Sequence, residues 1–307
     1  MSLHSVEIIT TALLIVSAVV IILLERKFPY RKGLPIFRDG FWVDFIWYTL
    51  IQSFFLKIVI FDYIIYPIDQ HYRFSSFHVV SNWPIILQVL FFLATHDFYI
   101  YWFHRWQHNS KILWRTHEAH HSNKEVDWLS GSRSHVLEII INQTIEFAPI
   151  ILLGANPIIV PIKALIDAIW GMFIHSNMDV KLGRFKKIIN GPAMHLWHHA
   201  DCKQVFFANF STKFSFWDWI FGTAYLPDFK PEKYGLYYDY PKDYFVQHIF
   251  SVKRVDENKL REKKIFKNYF NLRLVFIQWF KKRISFRHTY RKYKTRLLVY
   301  LTENKPY

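Results

Sequence analysis

Runs of apolar residues long enough to enter a lipid bilayer are the feature that most constrains this chain. Residues Ile8–Leu24 form 17 consecutive uncharged positions, and the hydrocarbon core of a bilayer is about 30 Å thick. Four further segments are similarly apolar: Phe41–Phe61, Trp83–Phe103, Val136–Leu153 and Ile158–Ile174. The last two are separated only by Gly154-Ala155-Asn156-Pro157, a turn sequence that predicts a hairpin. We therefore predict an all-α, integral membrane helical bundle of four to five spans.

The distribution of basic residues predicts the orientation of these spans. Although 52% of the residues are hydrophobic, the formal net charge is +15. Lys and Arg concentrate after the first and third spans, whereas the loop at residues 67–82 carries only Arg73. By the positive-inside rule the two basic loops are cytoplasmic and the N-terminus is outside. The first segment lacks a basic start and a small-residue cleavage site, so we expect it to be retained as a span.

Histidine is the residue type whose placement indicates chemistry. Eight of the 16 histidines fall in three short clusters on the predicted cytoplasmic side: His104-Arg-Trp-Gln-His108, His117-Glu-Ala-His120-His121 and His195-Leu-Trp-His198-His199. On a helix, spacings of three and four place side chains on one face, about 5–6 Å apart at Cβ. Neutral imidazole is the commonest metal ligand in proteins, and eight imidazoles exceed what one ion takes. The clusters therefore predict two metal ions with an open coordination position, but imidazole alone leaves zinc, iron, copper and nickel as alternatives.

Cysteine contributes nothing to this predicted site. Cys202 is the single cysteine of the chain, which excludes an internal disulfide and a cysteine-based zinc site.

The order and spacing of these motifs resemble the fatty acid hydroxylase/sterol desaturase superfamily of membrane oxygenases. The similar stretch runs from about Gln88 to Tyr225, a little under half of the chain. It comprises Asp97-Phe-Tyr-Ile-Tyr-Trp-Phe-His104-Arg-Trp-Gln-His108, Leu113-Trp-Arg-Thr-His117-Glu-Ala-His120-His121-Ser122, Phe173-Ile-His175-Ser-Asn177, Gly191-Pro-Ala-Met-His195-Leu-Trp-His198-His199, Asn209-Phe210 and Trp217-Asp-Trp-Ile-Phe-Gly222-Thr223. The resemblance implies a non-haem di-iron centre that uses O₂ to hydroxylate or desaturate a C–H bond of a lipid. It also implies His175 as a ninth ligand and Asn177 as a catalytic residue.

Several polar residues near the clusters are predicted to support the metal ligands. One face of the third span carries a polar stripe that consists of Asp97, Tyr101, His104 and His108. This stripe places Asp97 where it could hydrogen-bond a ligand histidine. The alternative is a buried carboxylate paired with another helix. Asp218 is a further candidate, with a structural cap as its alternative. His96 lies one position off the stripe, and we leave it out of the predicted site.

A second polar stripe, formed by His135, Glu138, Asn142 and Glu146, follows the fourth span. We predict that Glu138 supports the metal centre and that Asn142 lines a substrate passage. The alternative is a lock between helices, such as Glu146 with Lys163. His135 is followed by Val136 where relatives usually have proline, so its role stays open.

These observations together predict a lipid hydroxylase of three regions. They are N-terminal membrane spans at 1–86, a catalytic domain at 87–226 and a basic cytoplasmic tail at 227–307. From about Lys253 onward the tail alternates aromatic and basic residues, which we expect to form a helical segment on anionic headgroups; nucleic-acid binding is the alternative. We find no dinucleotide fingerprint, flavin module or haem module, so electrons would come from a separate donor. We expect two iron ions, with zinc possible in purified material because it binds imidazole more strongly than Fe²⁺.

Two other functions fit parts of the pattern. An acyl-chain desaturase of the acyl-CoA type also uses three histidine boxes, but the nine-residue separation of His108 and His117 and the Trp217–Thr223 motif favour the hydroxylase branch. A metal transporter is the alternative from another class. Transporters bind their ions near the bilayer midplane, whereas these histidines lie at the predicted span ends.

Overall fold

The computed structural model describes residues 2–263 together with residues 269, 271 and 278. The chain divides into two compact units, Met1–Arg254 and Val255–Tyr307. Residues 227–254 thus belong to the same unit as the histidine clusters. The division into regions at 86 and 226 remains a prediction. Most of the predicted basic tail, including Trp279-Phe280-Lys281-Lys282-Arg283, lies outside the described residues.

Nine helices organise the described part of the first unit. They are α1 (Leu3–Lys27), α2 (Val43–Tyr72), α3 (Ile85–Asn109), α4 (Lys111–His117), α5 (Val136–Leu152), α6 (Ile159–His175), α7 (Pro192–His198), α8 (Phe216–Ile220) and α9 (Tyr244–Val252). Short 3₁₀ turns occur at Phe74–Phe77, His120–Ser122, Ser130–Ser132, Gly183–Lys187 and Lys203–Val205. The second unit contributes α10 (Glu257–Glu262). No β-strand occurs among the described residues, so the all-helical part of the prediction is confirmed.

Among the described residues, three helices are long and apolar enough to cross a membrane: α1, α2 and α3. Helices α5 and α6 occupy the two other predicted spans, but each has 17 residues, which corresponds to about 26 Å at 1.5 Å per residue. They are therefore shorter than the hydrocarbon core unless it thins locally. Four to five spans, and their orientation, remain predictions.

Helix α1 shows how the local sequence defines such a span. Its N-cap residue Ser2 accepts a hydrogen bond from the Ser5 backbone amide at 3.2 Å. Arg26 and Lys27 lie in the last turn, at the negative end of the helix dipole. Within α1 only Val6, Ile21 and Glu25 are buried. Its other apolar side chains are therefore available to lipid, whereas α6 covers the buried face.

The main apolar core lies among α2, α3, α5 and α6. Its buried members include Ile60, Phe92, Phe147, Ile150 and Ile159. The α5–α6 hairpin is closed by Gly154, whose φ of +67° favours glycine and whose Cβ position is 2.7 Å from the Ser75 carbonyl oxygen. This core holds the C-terminal end of α3, the N-terminal end of α5 and the C-terminal end of α6 together, and those ends surround the histidines.

Candidate metal centre

The structure brings all nine predicted histidines together in two adjacent groups. The first group, called here the five-histidine group, contains His104, His108, His117, His121 and His198. The second, the four-histidine group, contains His120, His175, His195 and His199. Within each group one ring nitrogen per residue lies within 4.8 Å of all the others. Nine donors in two groups match the two-ion prediction, and ligation itself remains a prediction.

Helix ends position most of these side chains. His104 and His108 lie in the last two turns of α3, His117 ends α4, His175 ends α6, and His195 and His198 lie in α7. His120 and His121 occupy the 3₁₀ turn that follows α4. Because His120 and His121 are adjacent in sequence, their side chains diverge, and each joins a different group.

Hydrogen bonds at the outer ring nitrogen fix the orientation of most rings. The Nδ1 atoms of four histidines lie 2.8–3.1 Å from backbone carbonyl oxygens: His104 with Phe210, His108 with Phe206, His198 with Ala208 and His120 with Arg133. His175 Nδ1 makes the same contact with Gly171 at 2.7 Å. A carbonyl only accepts, so Nδ1 must carry the hydrogen and Nε2 keeps a free lone pair.

Close contacts between the Nε2 atoms are compatible with the predicted metal ions. His104 Nε2 is 3.0 Å from His117 Nε2, and His175 Nε2 is 3.2 Å from His120 Nε2. Because each imidazole of such a pair carries its hydrogen on Nδ1, the lone pairs of the two Nε2 atoms face each other and no hydrogen bond can form between them. Two ligand nitrogens at 2.1 Å from one ion and at right angles to each other are about 3.0 Å apart. The spacing therefore fits imidazoles that share a metal ion.

Burial keeps the histidines in the form that binds metal. Burial, reinforced by neighbouring imidazoles, lowers the pKa of His120, His121, His195, His198 and His199 well below the ordinary value. The neutral form therefore predominates at physiological pH. In addition, the Nε2 atoms of His108, His121 and His198 are buried without a hydrogen-bond partner. Buried nitrogens with a free lone pair are expected of metal ligands.

Glu138 lies beside His117, one of the predicted metal ligands. Its Oε1 atom accepts a hydrogen bond from His117 Nδ1 at 2.9 Å, and the side chain is buried. A carboxylate in this position fixes the tautomer of the imidazole and strengthens it as a ligand. The alternative lock is also present: Glu146 accepts from Lys163 Nζ at 2.8 Å. The two glutamates of α5 therefore have different partners.

Asp97 does not make the contact that the sequence pattern predicted. Its carboxylate accepts hydrogen bonds from Thr212, from the backbone amides of Lys213 and Phe214, and from Trp217, and the described contacts include none with a histidine. Asp97 precedes His104 by two helical turns, about 10 Å along the axis, so it lies out of reach. The predicted hydrogen bond to a ligand is wrong, and Asp97 anchors the segment that follows the histidine-rich region.

Asp218, rather than Asp97, makes a contact that supports a predicted metal ligand. It accepts from the backbone amides of Phe210 and Ser211, each at 2.9 Å. The Phe210 carbonyl in turn accepts from His104. Asp218 therefore positions a metal-ligand candidate through the backbone, although burial raises its pKa.

Asn177 and His135 belong to neither the five-histidine group nor the four-histidine group. The Asn177 side chain donates to the Arg31 carbonyl and accepts from the Arg31 amide, each at 2.8 Å. It joins the end of α6 to the segment after α1, so its predicted place among the catalytic groups is corrected to a structural one. His135 caps α5, and its Nε2 pairs with Ser251 Oγ at 2.9 Å.

The sequence reading missed a buried ion network that supports His120. Arg133, whose carbonyl accepts from His120, donates from Nε to Asp44 at 2.6 Å. Asp44 also pairs with Arg38 at 2.7 Å, and Arg38 pairs with Asp127 at 2.9 Å. The signal available in the sequence was the occurrence of charged residues in otherwise apolar surroundings, but four partners separated by up to 95 positions cannot be matched from spacing alone.

Two cavities reach the histidines. The first, about 190 Å³, lies between α3, α5 and α6 and is bordered by His104, His117, His120, His175 and His195. Asn142 lines it, as predicted, together with apolar residues such as Ile100, Phe103 and Ile174. The second, about 660 Å³, is bordered by His108, His121 and His198 and by aromatic residues including Trp114 and Phe206. Two cavities therefore border the predicted metal centre from different sides.

Comparison with known proteins supports the resemblance that the motifs carry. A family model described as Fatty acid hydroxylase matches residues 89–223, the stretch that contains all nine histidines. These residues are therefore similar to the fatty acid hydroxylase family. The resemblance predicted from the motifs is thereby confirmed.

Curated relatives of this chain are named as hydroxylases and monooxygenases. The chain is 28% identical over 215 residues to ornithine lipid hydroxylase OlsE of Rhizobium tropici, an alignment that covers 68% of this chain and 64% of that protein. It is 31% identical over 127 residues to human alkylglycerol monooxygenase, covering 41% and 28% of the two chains. It is 25% identical over 207 residues to methylsterol monooxygenase 1 of Rattus norvegicus, covering 64% and 67%.

These similarities extend over part of the relatives only. The chain covers less than two thirds of the length of the first two of these relatives. No solved structure matches the chain significantly.

Proposed function

We propose that this protein is a membrane-bound, O₂-dependent di-iron oxidoreductase that hydroxylates, or desaturates, a C–H bond of a lipid. The observation that supports the proposal most strongly is the pair of adjacent all-histidine groups at one end of a cavity enclosed by apolar helices. A purely structural zinc site is closed by four ligands. Nine imidazoles over two ions, next to a cavity, fit a site that receives a substrate.

The bound iron pair would supply the oxidation of an unactivated C–H bond with O₂. The nine histidines would hold the two ions, five in one group and four in the other. Glu138 would hold the His117 ring in its ligating tautomer, and the backbone carbonyls would do the same for five other rings. The side chains would therefore orient the ligands and exclude water more than they would exchange protons with the substrate.

The lipid would reach the centre through the cavity between α3, α5 and α6. Ile100, Phe103 and Ile174 offer it apolar contacts. These helices belong to the apolar bundle, so a substrate dissolved in the bilayer is the class that fits the position of the cavity. Together with the basic loops, this arrangement favours an active site on the cytoplasmic face.

Electrons would come from a separate reductase, electron-transfer protein or small reductant. The cavity at His108, His121 and His198 offers a second approach to the metals that is separate from the proposed lipid cavity. A donor could therefore act without displacing the substrate.

Comparative lipid analysis tests the proposed reaction. Cells that produce the wild-type protein and cells that produce the His121→Ala variant are grown under ¹⁸O₂, and their lipid extracts are compared by mass spectrometry. We expect a lipid that gains one labelled oxygen, or loses two hydrogens, in the wild-type extract only. Identical lipid profiles from two membrane-inserted proteins, with iron bound to the wild type, would contradict the proposal.

A further inference from the structure

A cluster of charged side chains lies beside the first cavity, two helical turns from the histidines. Lys163 of α6 is fully buried, and its Nζ donates to Glu146 Oε1 at 2.8 Å, to Asp167 Oδ2 at 2.5 Å and to His96 Nδ1 at 3.1 Å. An ammonium has three hydrogens, and these contacts use all three. The acidic atoms and His96 are close enough together to hold a cation, but the Lys163 ammonium already serves as that cation.

Lys213 completes the cluster and differs from Lys163. Its Nζ lies 2.7 Å from Asp167 Oδ1. Among the described residues, this is the polar contact that the Lys213 ammonium makes. The side chain is only 8% exposed and lines the cavity. Up to two of its hydrogens are therefore left for a group inside the cavity.

Other residues of the cavity wall also have hydrogen-bond donors without partners. Gln107 Nε2 and Trp170 Nε1 are buried and have no acceptor among the described residues. Both residues line the cavity, and Gln107 is 1% exposed. Buried donors are normally satisfied. Gln107 follows His104 by three residues and therefore lies at the metal end of the cavity, whereas Trp170 follows Asp167 by three residues and lies on the side of the charged cluster. The donors of Lys213 and Trp170 therefore indicate that the ligand of the cavity has an oxygen acceptor near this cluster.

The charge of the cluster limits the kind of acceptor. Lys163 and Lys213 balance Glu146 and Asp167, so a carboxylate, phosphate or ammonium would leave an uncompensated charge in a buried site. A neutral oxygen adds none. Asp167 precedes His175 on α6, and His96 precedes His104 on α3, by eight residues each. This separation is about 12 Å along each axis. The group held at the cluster is thus distinct from the carbon beside the metals.

We propose that the cavity binds a neutral oxygen-bearing group of the lipid, such as a hydroxyl, ether, ester or amide, through Lys213 and Trp170. The proposal rests on the proposed function in taking a lipid as the ligand. The bound oxygen would anchor the substrate so that the distance from this oxygen selects the oxidised carbon.

Binding measurements test the inference independently of turnover. Metal-loaded wild-type protein in lipid nanodiscs is titrated with hexadecanol, hexadecane, hexadecanoate and hexadecylammonium, with empty nanodiscs as the reference. A hydrogen bond to a charged donor corresponds to about 10- to 100-fold in affinity. We therefore expect hexadecanol to bind at least about tenfold more tightly than the alkane, and more tightly than both ions.

Substitutions assign the effect to the wall donors. Lys213→Met should reduce the preference for hexadecanol to near that of the alkane, whereas Lys181→Met, at an exposed position, should leave it unchanged. If Lys213→Met does not fold, Trp170→Phe keeps the ring and removes one donor, and it should reduce the preference by several-fold. Metal content is measured in every variant.

The outcomes separate the inference from the proposed function. Equal binding of alkane and alcohol by the wild type, or tighter binding of either ion, would overturn the neutral-oxygen subsite even if lipids are oxidised. A clear preference for the alcohol in a protein that oxidises no lipid would support the subsite and count against the proposed reaction.

Discussion

Glu138→Gln is the substitution for which the structure gives the clearest quantitative expectation. Glu138 Oε1 accepts from His117 Nδ1 at 2.9 Å, while Oε2 has no hydrogen-bond partner among the described residues. Loss of such an outer partner typically lowers metal affinity by about 10- to 100-fold, which corresponds to about 1.4–2.8 kcal/mol. Glutamine retains an oxygen acceptor but removes the charge, so we expect a loss near tenfold, and a larger one for Glu138→Ala.

Glu146→Gln is the matched control on the same helix. Glu146 pairs with Lys163 rather than with a ligand histidine. Breaking a buried ion pair costs about 3–5 kcal/mol of stability, so this variant should unfold at lower temperature and bind metal with nearly unchanged affinity. Glu138→Gln should show the reverse pattern.

Two measurements decide between these patterns. Metal affinity is measured by competition with a chelator, and the thermal stability of the metal-free proteins is followed in the same detergent. A Glu138→Gln protein that binds metal as tightly as the wild type but unfolds earlier would refute the role of Glu138 as an orienting partner. It would assign this carboxylate to a lock between helices.

Three further predictions concern the site and its boundary. Gly131→Ala should displace His175, because a Cβ atom would lie 2.7 Å from its Nδ1; metal analysis should find about one ion lost, and an unchanged metal content would contradict this placement. Metal-free protein should lose stability as the pH falls below about 6.5. The folded state lowers the pKa of buried histidines, including that of His248 to about 4, and therefore binds fewer protons than the unfolded state. Equal denaturant midpoints at pH 8 and pH 5 would argue against this prediction. Truncation after Asp256 should weaken membrane association or stability and keep the metal content, since the nine histidines precede that residue; a folded, metal-free truncated protein would show that the site extends further.

Local spacing explains why the histidine groups could be predicted. The i+3 and i+4 spacings act within one or two helical turns, so the eight clustered histidines needed no knowledge of the tertiary fold. Their division into five and four could not be predicted in this way. It depends on how α3, α4, α6 and α7 meet, and on the divergence of His120 from His121.

Contacts between distant segments were the part that the sequence could not supply. Asp97 shares a helix face with His104, but its oxygens bind the segment at Thr212–Trp217, more than a hundred residues later. Lys213 joins the charged cluster of α3, α5 and α6 from that same segment. Hydropathy likewise stopped the second span at Phe61, whereas α2 continues to Tyr72, because polar residues near a helix end do not interrupt its backbone hydrogen bonds.

The number of metal ions per chain tests the central claim most directly. Protein reconstituted with iron alone is analysed by mass spectrometry of its metal content, beside His198→Ala from the five-histidine group and His199→Ala from the four-histidine group. We expect about two ions in the wild type and a lower content in each variant, because each substitution removes a ligand from one group. A wild-type protein that is active with one ion or fewer per chain would contradict the two-metal centre.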